Sequence, residues 1–230
     1  KDITIKPRLF DDNKFVLQSE YREKNEKSYT IADFSLARGH NSSIDDKNDT
    51  RSHFFSETTI DLSLEKFNRS ILKLNFEKTS NDNYLKLFDL QSPLLLQNND
   101  VLETAIKLDL QNDDYNLITS VEMYETLGGL NSDRYEYVLP SYDFSKNLNS
   151  KKFKGDLNFY SSGSNNLNAT NVITSELLND LNYTTENIFF DNGIKSNFKV
   201  LLKNTNVAGK KNLKYKSKAQ SDIMSAYIYN

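Results

Sequence analysis

The chain has 230 residues, 37% of them hydrophobic, and a formal net charge of −3, a near balance that gives a polyanion nothing to hold and argues against nucleic acid as a partner. There is no cysteine, so no disulfide framework and no thiolate metal site lies within these residues, and no apolar run approaches the roughly 20 residues of a membrane helix. With 7 Gly and 3 Pro the turns fall to Asn, Asp, Ser and Lys, and a mean hydropathy of −0.67 is low for a core sealed on every side.

Taken in order, residues 2–10 alternate, with Ile3, Ile5 and Pro7 on one face. Phe15, Leu17 and Tyr21 then alternate with Gln18, Glu20 and Arg22, and a turn at 23–27 leads to a strand opened by Tyr29 and Ile31. Its apolar phase moves to Phe34 and Leu36, the pattern a β-bulge near Asp33 would give. After a polar loop at 40–50, Phe54, Ser56, Thr58, Ile60 and Leu62 oppose His53, Glu57, Thr59 and Asp61. A turn near Glu65 and Lys66 leads to Leu72, Leu74 and Phe76 against Lys73, Asn75 and Glu77. Residues 79–100 form a long connection with apolar inserts at 84–88 and 94–96.

The clearest period-two signal is the hairpin at 101–127. Leu102, Thr104, Ile106, Leu108 and Leu110 share a face opposite Glu103, Ala105, Lys107 and Asp109. Beyond the turn at 111–114, Tyr115, Leu117, Thr119, Val121 and Met123 oppose Asn116, Ser120 and Glu122. A strand at 135–144 is interrupted by Pro140; Phe153, Leu157 and Phe159 continue, with a loop at 162–166. Strands follow at 171–183, 193–202 and 221–229, the last two separated by a basic loop at 203–218.

Short connections at 23–27, 65–66 and 111–114 alternate with long ones at 40–50 and 79–100. The fold class this predicts is all-β, an antiparallel up-and-down meander forming part of a transmembrane outer-membrane β-barrel. About 9–11 tilted residues suffice to cross such a membrane, and low hydropathy fits strands of which one side faces a wet lumen. A soluble β-sandwich or solenoid alternates in the same way and stays open as an alternative. The first residue is Lys1, inside strand-like sequence, so an internal fragment is expected.

No GxSxG, HExxH or P-loop pattern is present, and no catalytic residue, metal site or cofactor is expected. His40 and His53 stand too far apart for a metal site, and Asp45-Asp46 and Asp113-Asp114 lack the spacing of a calcium loop. Glu103, Lys107, Asp109, Asn116 and Glu122, on the polar faces of the central hairpin, are the lumen-facing candidates. Lys203, Lys210, Lys211, Lys214, Lys216 and Lys218 make a cluster that reads as a solvated loop; the sharper reading gives Lys210, Lys211, Lys214 and Lys216 contacts to anionic lipid phosphates. Pro7 and Pro140 each remove a ladder donor, which an edge, a seam or a bulge tolerates.

Residues 3–10 (ITIKPRLF) with 17–22 (LQSEYR), then 51–55 (RSHFF), 79–85 (TSNDNYL) and Leu139-Pro140, resemble in order and spacing the start of the barrel in the LptD lipopolysaccharide-assembly family, also called the organic solvent tolerance family. The resemblance spans essentially the whole chain. It implies a non-enzymatic barrel of the cell outer membrane that inserts lipopolysaccharide into the outer leaflet. It further implies an LptE-like plug lipoprotein, a periplasmic jelly-roll bridge that delivers the lipid, and acyl chains leaving through an opening between the first and last strands. Pro7 matches a proline the family carries beside that opening. The family's N-terminal jelly roll, its later strands and its cysteines have no counterpart in these residues, so residues 1–230 correspond to the early part of the barrel domain. A diffusion porin, a receptor barrel, or a secreted β-rich adhesin or carbohydrate-binding module are the other functional readings.

Overall fold

A computed structural model describes the chain apart from residues 11–13, 42–47, 96–99, 131–132, 149–153, 170, 216–218 and 230. Among the described residues nearly all regular structure is strand, with one helix of four residues, which fixes the class as all-β. In chain order the elements are β1 (Asp2–Leu9), β2 (Phe15–Lys24), β3 (Ser28–Asn41), β4 (Asn48–Asp61), β5 (Arg69–Thr79) and α1 (Tyr84–Leu87). They continue as β6 (Val101–Gln111), β7 (Tyr115–Thr126), β8 (Tyr135–Asn147), β9 (Gly155–Asn168) and β10 (Val172–Thr185). The chain closes with β11 (Ile188–Phe189), β12 (Lys195–Ser196), β13 (Phe198–Lys210) and β14 (Gln220–Tyr229).

Twelve strands form one antiparallel meander in the order β1-β2-β3-β4-β5-β6-β7-β8-β9-β10-β13-β14, and β11 and β12 make a separate ribbon. Within that order β1 and β14 are the two ends, so no pairing closes a barrel among the described residues. No helix among the described residues is long and apolar enough to cross a membrane; a barrel crosses with strands.

The chain divides into two compact units. The first contains residues 1–62, 71–107 and 122–136. Its registers place Ile5, Ser19, Phe34 and Phe54 side by side, and likewise Lys6, Gln18, Ser35 and His53 on the opposite face. The first face is exposed and apolar: Ile3 and Ile5 are each 62% exposed, Phe54 43% and Ile106 55%. The other carries the polar side chains, and part of it is covered by α1 and the residues after it. Tyr84, Leu85 and Leu90 pack there on Val16, Ala37, Phe55, Leu102 and Leu127 to make the unit's apolar core.

Two expectations for this unit are corrected. The pairing of β2 with β3 runs unbroken from Phe15↔Arg38 to Lys24↔Tyr29, so there is no bulge at Asp33; the register shift in β3 lies between Ala37 and His40, against β4. The apolar phase changes because Asp33 and Ser35 point to the covered face together with Ile31 and Ala37, and all four are buried. Leu102 also leaves the face assigned to it. It is 1% exposed within the core, whereas Ile106 keeps to the open side.

The second unit contains residues 63–70, 108–121 and 137–230. β9 runs straight through residues 162–166, expected as a loop, and β13 extends to Lys210, which puts the first half of the expected basic loop in a strand. The strand expected from 193 begins at Phe198, after the β11–β12 ribbon. β8 is continuous through Pro140, with the register against β9 shifting between Val138 and Ser141, the irregularity that lets a sheet accept a proline. Tyr142 lies so close over Gly163 that a Cβ there would sit 2.7 Å from its ring, which fits glycine at that position.

A chain of side-chain hydrogen bonds crosses the same face. The Tyr142 hydroxyl and Ser161 Oγ are 3.0 Å apart, Ser161 donates to Asn179 Oδ1 (2.8 Å), Asn179 Nδ2 to Asn204 Oδ1 (3.3 Å), and Asn204 Nδ2 to Ser221 Oγ (3.0 Å). Five successive strands of the sheet are joined in this way.

Candidate functional site

The covered face of the first unit concentrates the buried polar groups. Strand alternation sends Gln18, Asp33, Ser35 and His53 to this side, and neighbouring strands bring them together. Ser35 Oγ lies 2.6 Å from His53 Nδ1 and 2.7 Å from the Tyr84 hydroxyl. His53 Nε2 is 3.3 Å from Asp33 Oδ2, ion-pair distance rather than an aligned hydrogen bond. Gln18 Nε2 donates to both Asp33 oxygens (3.1 Å each) and to the Gln91 carbonyl (2.9 Å). His53 also stacks on Phe55 with ring centroids 4.4 Å apart.

Hydroxyl, imidazole and carboxylate in contact are the ingredients of a hydrolase triad. Here the geometry serves another purpose. Both near neighbours of Ser35 Oγ are hydrogen-bond partners within 2.7 Å, and Tyr84 and Leu85 close over the site, leaving Oγ no face for a substrate carbonyl. The cluster anchors the α1 segment to β2, β3 and β4.

Further along this face, Lys107 Nζ lies 2.6 Å from Glu103 Oε1 and 3.5 Å from Glu122 Oε1. The Glu103 N–H donates to Glu77 Oε2 (2.8 Å), and the Tyr124 hydroxyl donates to Glu122. Glu57 and Lys73 pair at 2.8 Å. Glu103, Lys107 and Glu122 are thus brought together as one cation between two carboxylates. Asp109 is apart from them, paired with Arg69 at 2.7 Å in the second unit, and Asn116 is half-buried on β7 in that unit.

A second cluster ties two connections of the first unit. Arg134 donates to both Asp82 oxygens (2.6 and 3.0 Å) and to Glu125 Oε1 (2.6 Å); Gly128 N–H also donates to Asp82 (3.0 Å), and Lys78 Nζ is 2.6 Å from Glu125 Oε2. The Arg134 hydrogen bonds hold the Asp82 carboxyl below the usual carboxylate range, and the Asp82 and Glu125 bonds raise the Arg134 guanidinium. With a depressed folded value, the Asp82 contribution is complete above the unfolded carboxyl pKa of about 3.9 and is lost as pH falls through the folded one. Acidification below about pH 4 is therefore expected to loosen residues 80–83 from Gly128 and Arg134, and Asp82→Asn to remove that acid step; limited proteolysis against pH measures both.

Pro7 sits on β1 opposite Leu17, and among the described residues β1 pairs only with β2, the edge position a proline tolerates. Of the basic cluster, Lys203 lies in β13, 3.6 Å from Asp180. Lys210 ends β13, Lys211 follows it with φ +57°, and Lys214 Nζ lies 5.1 Å from the Tyr215 ring centroid. Tyr215 donates to Glu176 (2.7 Å) and Asn212 to Thr174 (2.8 Å), which folds this connection onto β10. Lys216 and Lys218 lie outside the described residues. On the polar side of β8–β10 in this unit, a crevice of about 450 Å³ is lined by Asp143, Ser162, Glu176, Thr205 and Tyr215 among others.

His53 and Asp33, which the sequence suggests as an ordinary surface or lumen histidine and the place of a bulge, are instead buried together. The available signal was a carboxylate between Ile31 and Phe34 where the alternation calls for an apolar side chain. No family model matches the chain, and no curated protein matches it either.

Proposed function

We infer that this chain forms part of an outer-membrane barrel that assembles lipopolysaccharide into the outer leaflet, delivering the lipid sideways past its first strand. The observation that carries the membrane part is the contrast between the faces of β1–β6. One exposes Ile3, Ile5, Leu17, Phe34, Phe54 and Phe76, large apolar side chains of the kind that mark a membrane or partner-facing surface. The other holds paired charges and hydrogen-bonded polar groups. Strands of 10–14 residues from β2 to β10 are long enough to cross.

The choice of cargo rests on the LptD-like motifs and on the chemistry available to it. Carboxylates, hydroxyls and lysines on the polar face suit sugars and phosphates, and the apolar face suits acyl chains. The work is transfer without bond breaking, so no catalytic residue is assigned. The partners are lipopolysaccharide, a plug lipoprotein and a periplasmic jelly-roll bridge, and exposed cations at Lys210, Lys211 and Lys214 suit lipid phosphates.

Depletion of the full-length protein is expected to strip newly made lipopolysaccharide from the cell surface, read by surface labelling. Loss of small-solute uptake with surface lipopolysaccharide intact would instead identify a diffusion pore. Pro7→Ala restores an N–H on β1 and is expected to slow delivery several-fold; unchanged delivery removes Pro7 from the exit.

A further inference from the structure

The segment 84–91 touches the edge strand at one end and the buried cluster at the other. From β1, Arg8 Nη1 donates to the carbonyls of Phe88 (3.1 Å) and Asp89 (3.2 Å). Phe10, just past the strand, lies against the Phe88 ring with centroids 5.9 Å apart. Phe88 in turn meets Tyr84 edge-on at 5.5 Å. Tyr84 is bonded to Ser35 on β3, Ser35 to His53 on β4, and the Gln91 carbonyl to Gln18 on β2. These contacts form a continuous path from β1 through the segment to three consecutive strands of the wall.

Among the described residues β1 has a backbone partner on one side only, and seven of its eight residues are exposed. Pro7, next to Arg8, has no N–H to offer any ladder. Pairing with β2 and the contacts of Arg8 and Phe10 are therefore what hold the C-terminal end of β1 among the described residues.

We propose that residues 84–91 act as a brace on β1, and that the Gln18–Asp33–Ser35–His53 cluster is its footing, so that how readily the edge strand moves is set by side chains remote from its own ladder. Under the reading of the preceding section, on which this consequence rests, the brace regulates the lateral exit. A guanidinium bonded to two carbonyls and a ring contact can be released and remade without breaking the β1–β2 ladder. The footing, sealed beneath Tyr84 and Leu85, stays in place meanwhile.

The test is hydrogen exchange on the full-length protein in detergent, with delivery of lipopolysaccharide to the surface measured in cells. Arg8→Ala is expected to speed amide exchange across residues 2–9 about tenfold, with exchange in β3 and β4 unchanged. Arg8→Lys, which keeps the charge and one donor, should fall between. Tyr84→Phe, which leaves every β1 side chain intact and removes only the hydroxyl bonded to Ser35, is expected to speed exchange both at 84–91 and at 2–9. Unchanged exchange at 2–9 in Arg8→Ala would overturn the brace, as would a Tyr84→Phe effect confined to 84–91. Faster exchange with altered delivery supports both the brace and the transport reading. Faster exchange with unaltered delivery supports the brace and counts against the proposed exit.

Discussion

Replacing Asp33 with alanine is expected to cost about 1–3 kcal/mol of stability, the range for leaving a buried polar group without its hydrogen-bond partner. The carboxylate is fully buried, accepts two hydrogen bonds from Gln18 and faces His53 at 3.3 Å. Alanine takes the carboxylate from the Gln18 amide, which keeps only its bond to the Gln91 carbonyl, in a buried site where unmet polar groups carry their desolvation cost. Asp33→Asn keeps the shape and an acceptor oxygen and should lose less. Urea unfolding of protein refolded into detergent micelles measures the difference. A loss below about 1 kcal/mol would mean that the cluster is not what secures residues 84–91.

The second large effect is on the open face. Ile106 lies at the middle of β6 and is 55% exposed. If that face meets hydrocarbon, Ile106→Arg should cost about 2–4 kcal/mol for folding into lipid vesicles, the penalty of a basic side chain near the bilayer midplane. If it meets water, the change should stay within about 0.5 kcal/mol. The neutral outcome would remove the membrane from the functional reading and leave a soluble β-rich binding protein. The comparison is sharp because the neighbouring Lys107 points to the other face, between two carboxylates, so both solvents are sampled one residue apart.

Alternation made the strands and their faces legible wherever one side is apolar throughout. In β4 the sequence separates Phe54, Ser56, Thr58 and Ile60 from His53, Glu57 and Thr59, and the structure divides them in the same way, with Phe54 exposed and His53 2% exposed. The reading went astray where polarity and geometry part company. At Asp33 the side-chain period continues but the chemistry of the inward face changes from Ile31 to carboxylate and hydroxyl, which imitates a phase shift. At 162–166 the Ser, Gly and Asn composition of a loop is held as strand by partners on both sides, Ser162 with Leu178 and Asp143 for example. Composition cannot show those partners, because β-structure is completed by residues distant in the chain.

The candidate sites divide similarly. Glu103, Lys107 and Glu122 fall on the polar faces of consecutive strands, so local spacing is enough to suggest their proximity. The Asp33–His53 footing needs Gln18, Tyr84 and Gln91 as well, separated by up to 73 residues from one another. No local pattern encodes that meeting. Tyr84 in particular looks like an apolar insert in a connection, and its role appears only when the connection is laid on the sheet.

The hydrogen-bonded row from Tyr142 to Ser221 bears on how this half of the chain finds its alignment during assembly. Sliding one strand by a single residue turns every side chain over, an error the two unlike faces already punish. Sliding by two keeps each side chain on its proper face and would otherwise pass unnoticed. Asn179 now stands opposite Ser161 and Asn204; displaced by two, it would face Phe159 or Gly163 on one neighbour and Leu202 or Asn206 on the other. The row therefore works as a vernier, distinguishing the true alignment from its nearest look-alike at the one spacing hydrophobicity cannot resolve.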